Sequence, residues 1–386
     1  MEIDSILFED SNIGFLHLEG FDLETVGQPR SVYVHDSEIR NIDFEFTLPF
    51  SETTFTQVVS PSIRFENLIF TNFTMNPSSQ IFKFSHACLT PTLLSQISFS
   101  QSNGQFAKLS PSISNDVSLL VQVEDFTASE LVFTKNPLFS SGQNGRFEMR
   151  GVDFQNNYGT EIGAFLQSVE SDDLVQDSLF RFNSGMYSAL FVSKENSMLT
   201  IRNSTVSDNF ALYYSVFTVD SGAAITFENS TIERNYAQSV LLGVLTETSA
   251  TSYFRDSLIR ENALLTKAQI LGEFSSCSLL CWLNPAYSSM VAALDLFDES
   301  PTGYDFQIVK GIVHFEDVEI TNQQTSLVSS FIGEISVVDS SIHSLQIDSS
   351  YFKLTESSLF VSGSNFTAIQ NRTELNPLIC LVYSNQ

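Results

Sequence analysis

Two adjacent carboxylates, Asp172 and Asp173, follow Glu170 closely, and five histidines (His17, His35, His86, His314, His343) stand far apart along the chain. A pair of acids spaced to admit a water is what hydrolyses a glycosidic bond. Neighbouring residues on a strand point to opposite faces, so Asp172 and Asp173 cooperate only if a turn carries them. The histidines fall in different stretches of the chain. Four cysteines, Cys88, Cys277, Cys281 and Cys380, are too few to build a fold of 386 residues from disulfides. Cys277 and Cys281 have no His and no second Cys pair nearby, so they read as buried small residues rather than a metal site, with a disulfide left open. No Gly-x-Ser-x-Gly elbow and no phosphate-cradling glycine loop occurs. The expectation is a chain with no catalytic residue, no metal site and no cofactor.

The elements that would position any site announce themselves by repetition. MRGVDFQNN (149–157), VQDSLFRFN (175–183), IRNSTVSDN (201–209), FENSTIERN (227–235) and FRDSLIREN (254–262) align without effort. One column holds Gly151, Asp177, Asn203, Asn229 and Asp256, at spacings of 26, 26, 26 and 27. Six residues later stand Asn157, Asn183, Asn209, Asn235 and Asn262. Looser copies, FEDSNI (8–13), VHDSEI (34–39), FENLIF (65–70), FEDVEI (315–320), VVDSSI (337–342) and VSGSNF (361–366), extend the pattern, and weaker ones lie near Ile97 and Leu131.

Within each repeat, apolar residues alternate with polar ones before the first column, as in Leu199 and Ile201, which marks a half-buried strand. Asp, Asn and Gly in that column are the residues that tolerate left-handed turns. The second column turns the chain again, and a third apolar segment follows, such as SALFV (188–192). Like residues recur coil by coil, so parallel stacking sets them above one another and lets identical asparagines bond up the stack. The reading is all-β: a single right-handed parallel β-helix over 1–386, of about 13 to 14 coils. Its length is then on the order of 60 Å. Regularity is greatest over 146–275, and an irregular or inserted segment covers about 275–310. The 61 residues from Asp256 to Asp317 are read as two coils plus an insertion.

Around FENSTIERNYA and SGAAITF (221–227) the sequence resembles the polymorphic outer-membrane-protein repeats, whose units carry a Gly-Gly-Ala-Ile-like step and a Phe-x-x-Asn step. Ser221-Gly222 replaces Gly-Gly, with an extra Ala. The aromatic-to-Asn step is kept in Phe154-Gln155-Asn156-Asn157 and Phe180-Arg181-Phe182-Asn183. More broadly the chain is similar to the pectin-lyase-like superfamily, strongly over 146–275. That resemblance implies the fold; it hosts lyases, hydrolases, adhesins and scaffolds alike. Gly-His-Gly and Arg-Ile-Lys-like elements, which a polygalacturonase would supply, are not found near Asp172.

Composition narrows the partners. Lys and Arg number 18 against 45 Asp and Glu, a net charge of −27, which repels nucleic acid and anionic membranes. The most apolar stretch, around 279–297, is broken by Asn284, Pro285 and Asp295, so membrane insertion is not expected. The opening MEIDSILFED has an acid at position 2 and no basic region, unlike a secretory signal peptide. Sequons at Asn72, Asn203, Asn229, Asn365 and Asn371 suit an extracellular or cell-surface protein. Asn371, Asn72 and Asn365 are the candidates for glycosylation, since Asn203 and Asn229 belong to a turn column. Neither end carries a visible cap, which leads to the expectation of a longer protein with further domains. The functional expectation is a non-enzymatic surface scaffold that binds a glycan or protein ligand through its long faces or its variable corner (193–196, 247–251, 275–306). A pectin-lyase-like enzyme and a structural spacer are the alternatives.

Overall fold

The computed structural model describes residues 2–4, 7–9, 16–20, 31–44, 51–55, 62–75, 80–84, 91–109, 119–133, 136–159, 165–185, 190–213, 215–246, 249–270, 304–323, 326–344, 351–368 and 379–382. They form a parallel β-solenoid. Successive coils pair strand on strand in parallel, so Met149 lies below Val175 by register, Val175 below Ile201, and Ile201 below Phe227. The walls are a 22-stranded sheet, a 6-stranded sheet and a 13-stranded sheet, the last taking one strand from each coil.

The 22-stranded wall receives two strands per coil, bent at a left-handed residue. In one coil these are Gly145–Arg150 and Asp153–Gln155, with Gly151 between them at φ 68°. Higher coils place Asp177, Asn203, Asn229 and Asp256 at that bend, with φ between 48° and 52°. Only Gly, or a short polar side chain that bonds locally, visits this region at little cost, which explains the column's composition. A second left-handed residue precedes each asparagine of the second column: Asn156, Phe182, Asp208, Arg234 and Glu261. The asparagines therefore do not make the turn themselves; the residue before each one does.

Strands bury alternate residues, as in Ala224–Glu228, where Ile225 and Phe227 face inward and their neighbours outward. Phenylalanines from all the walls meet along the axis. Phe139 packs edge-on against Phe126, Phe147 and Phe165 at 5.2–5.5 Å, and Phe227, Phe254 and Phe315 stack at 5.2 and 5.4 Å. Each fully buried ring contributes about 1.5–3 kcal/mol. Gly243 makes room for this packing: a Cβ there would stand 2.2 Å from the Phe217 ring.

The expectation of two coils between Asp256 and Asp317 is corrected. Arg255 pairs directly with Glu316, 61 residues on, and Phe254 with Phe315, so one coil spans the interval. The long connection leaves after Ala263–Leu264 and returns at Tyr304–Ile308, which pairs with Val240–Leu245. Loop closure becomes only slowly costlier with length, so the coil keeps its register on the 22-stranded wall, with one shift between Val240 and Gly243 where Tyr304–Ile308 returns. Elsewhere coil length along the 22-stranded wall runs from 22 residues (Gly311 to Gly333) to 31 (Tyr33 to Arg64).

Candidate functional site

Two internal ladders occupy the bends. Asn157, Asn183, Asn209, Asn235 and Asn262 are fully buried. Asn209 shows the pattern: its Nδ2 donates to Asn235 Oδ1 at 2.9 Å and to the Phe180 carbonyl at 3.1 Å, while its Oδ1 accepts Asn183 N and Nδ2, both at 3.0 Å. Both amide hydrogens and the oxygen are thereby satisfied inside the wall, where an unmet polar group would cost about 1–3 kcal/mol. A second ladder follows the first bend. Ser178, Ser204, Ser230 and Ser257 each accept a backbone N–H from the coil below, at 3.1–3.3 Å, and donate to the carbonyl two residues back, at 2.7–2.9 Å.

The asparagine ladder stops at Asn157, and there the surface changes. Below it the same column is filled by Leu131, Ser102 and Phe73, each nearly buried. Ser102 imitates the ladder by accepting Phe73 N at 2.9 Å, and Asn157 Oδ1 caps Leu131 N at 3.0 Å. Over these four coils opens a groove of about 800 Å³, lined by residues 72–74, 101–103 and 130–132 and closed by Asn156 and Tyr158. The left-handed residues Asn72, Gln101, Glu130 and Asn156, one per coil, set side chains along it. Four coils span roughly 14 Å. Phe73 and Leu131 supply apolar floor; Asn and Gln amides and the Thr74 hydroxyl supply donors and acceptors, while the Ser102 hydroxyl is spent on Ser100 O and Phe73 N. Glu130, bonded by Gln101 Nε2 at 3.1 Å, is the one carboxylate among the described lining residues, and none of these is Lys or Arg. Tyr158 is 6% exposed and its hydroxyl makes no hydrogen bond. Burial pushes its pKa up to about 12, so it remains a neutral donor.

The acidic pair resolves into two unlike residues. Asp172 is exposed, beside Glu170, Arg146 and Asn196 in a recess of about 460 Å³. Asp173 points inward and is 3% exposed. Its Oδ2 accepts the hydroxyls of Ser141, Ser168 (both 2.5 Å) and Ser171 (3.0 Å), and its Oδ1 accepts Phe147 N at 2.7 Å. Burial holds this carboxyl above the usual range, against four hydrogen bonds that pull it down. The two carboxylates thus do not face a common water.

Other sequence candidates are likewise placed apart. His35 stacks on Tyr33, His314 on Tyr253 at 4.7 Å, and His343 bonds the Ser341 hydroxyl. His86, Cys88, Cys277, Cys281 and Asn371 lie outside the described residues, as do 247–248 and 275–303 of the variable corner; of the His17 and Cys380 side chains nothing is described. Among the described residues, no three His, Cys, Asp or Glu cluster to hold a metal, and no helix is long and apolar enough to cross a membrane. Ser193, expected at a contact corner, is buried against Ser197 at 2.8 Å. Asn229 Nδ2 donates to Asn203 Oδ1 at 2.8 Å, and Asn203 Nδ2 to Asp177 Oδ1 at 3.2 Å, an exposed ladder along the bend. Asn72 lines the groove, and Asn365 is exposed on Asn365–Ala368.

No protein-family model matches this chain, and no curated protein matches it. Among solved structures it is similar to the PL6 family alginate lyase AlyGC, at 7% identity over 96% of this chain and 87% of that one, with a TM-score of 0.16. A point mutant of the same enzyme aligns at 6% identity over 99% and 97%, with a TM-score of 0.15. Likeness at this level carries no argument about activity.

Proposed function

We propose that the chain is a non-enzymatic β-helical interaction module, of the extracellular or cell-surface kind, that binds a glycan in the groove over residues 72–158. The groove itself carries the reading: one polar side chain per coil above an apolar floor, across four coils. Amides both donate and accept, as sugar hydroxyls do, and the apolar floor suits the C–H face of a sugar ring. The sequons and the resemblance to polymorphic outer-membrane-protein repeats support the same compartment. A glycan attached at Asn72 would fill the groove, so ligand binding belongs to the form unmodified at that residue.

The test is a glycan-array screen of chain produced without glycosylation, run beside an assay for new reducing or unsaturated ends. Binding without turnover is the expected result. Turnover of any bound polysaccharide would replace this reading with an enzymatic one, and silence in both assays would leave a spacer.

A further inference from the structure

We infer that Tyr158 is the specificity-determining donor of the groove, and that the ligand is an uncharged oligosaccharide whose hydroxyl completes the tyrosine's missing hydrogen bond. The inference rests on the interaction-module reading and names its ligand class.

Three observations carry it. Tyr158 lines the groove, and its buried hydroxyl is the one buried side-chain atom of the described lining residues that makes no hydrogen bond. Native chains rarely leave such a group unmet, and where they do a ligand or a water is the usual explanation. Secondly, Phe would fill the same space without burying an idle hydroxyl, so fold stability alone gives no reason for Tyr at this position. Thirdly, the groove's charge selects its occupant. Among the described residues, Glu130 is its only carboxylate and no Lys or Arg lines it, and the chain carries −27 overall. A polyuronate or sulfated chain would bring further negative charge into that field, with no cation among the described lining residues to receive it. A neutral sugar meets no such opposition, and its hydroxyls accept from Tyr158 while donating to the amide and carboxylate oxygens.

The experiment compares wild type with Tyr158→Phe and Gln101→Asn. The second variant withdraws an exposed rim amide at a left-handed position that Asn tolerates. Melting temperature is recorded for each, and affinity is measured by titration calorimetry against two panels. One holds neutral gluco-, xylo- and N-acetylglucosamine oligomers; the other holds galacturonate and alginate oligomers. The expected result is a preference for the neutral panel, a melting temperature for Tyr158→Phe equal to or above wild type, and an affinity loss of about tenfold. Gln101→Asn should weaken binding several-fold without lowering the melting temperature.

A clear fall in melting temperature on Tyr158→Phe would show a structural role for the hydroxyl and overturn the inference. Tighter binding of the uronate panel would overturn the ligand class and leave the interaction module standing. Neutral binding indifferent to both substitutions would remove the groove but not the module. No binding to either panel would remove this inference together with the reading on which it rests.

Discussion

Asp173 shows how little an acidic pair in a sequence says about chemistry. Its position on a strand beside Asp172 foretold opposite faces, and the structure places one in solvent and one inside. The serines that receive it were not legible, because Ser141 comes from the coil below, 32 residues away. The buried carboxyl has a consequence for acid stability. Burial raises its folded-state pKa, so the folded chain holds this proton more tightly than the unfolded chain does. The group's contribution therefore grows as pH falls through the folded pKa and is lost above it. Glu233 has the opposite sign: burial raises it, but Arg260 and Arg234 prevail and hold it below the usual range, so its contribution is lost as pH falls. Asp173→Asn removes the first titration alone. The expected outcome, read from urea midpoints across the acid-to-neutral range, is that the variant gains on wild type as pH rises. An unchanged difference at every pH would mean that Asp173 does not titrate differently in the fold.

At the scale of the element, the ladders decide whether coils stay in register. The asparagine ladder was readable because five asparagines recur at one offset, and its hydrogen bonds run through every step from Leu131 to Asn262. The serine ladder was equally present in the letters, one residue after the Asp/Asn column, but in Asn203-Ser204-Thr205 and Asn229-Ser230-Thr231 it passes for a glycosylation signal. The coil between Asp256 and Asp317 was miscounted for another reason: spacing measures chain length, whereas register is set by which strand pairs with which. The ladder makes a graded prediction. Asn209→Ala strips acceptors from Asn183 N and Nδ2 as well as its own bonds to Phe180 and Asn235, whereas Asn157→Ala strips the acceptor of Leu131 N alone, along with its own bonds to Ala128 and Asn183. With about 1–3 kcal/mol for each unmet buried group, Asn209→Ala is expected to cost at least about 3 kcal/mol, and Asn157→Ala distinctly less. Equal urea midpoints for the two would contradict the ladder as a load shared coil by coil.

For the whole molecule, the solenoid separates two jobs. Its middle coils, 26 or 27 residues long over 157–262, carry the complete asparagine ladder; the coils below, at 29 residues over 73–131, lack the asparagine and open the groove instead. The groove was not legible in the sequence because its signal is an interruption: Phe73, Ser102 and Leu131 stand where the repeat elsewhere puts Asn. Sequence reading looked for function in the longest insertion and the variable corner, where loop length attracts attention. The charge of −27 does its selecting at this scale as well, opposing any anionic ligand over the whole surface. Hydrogen–deuterium exchange of the chain with and without a bound neutral oligosaccharide tests the central claim most directly. The account predicts new protection concentrated in 72–74, 101–103, 130–132 and 156–158, with the coils above Asn183 unchanged. Protection confined to the recess around Asp172, or to the outer face around Tyr253 and His314, would contradict it.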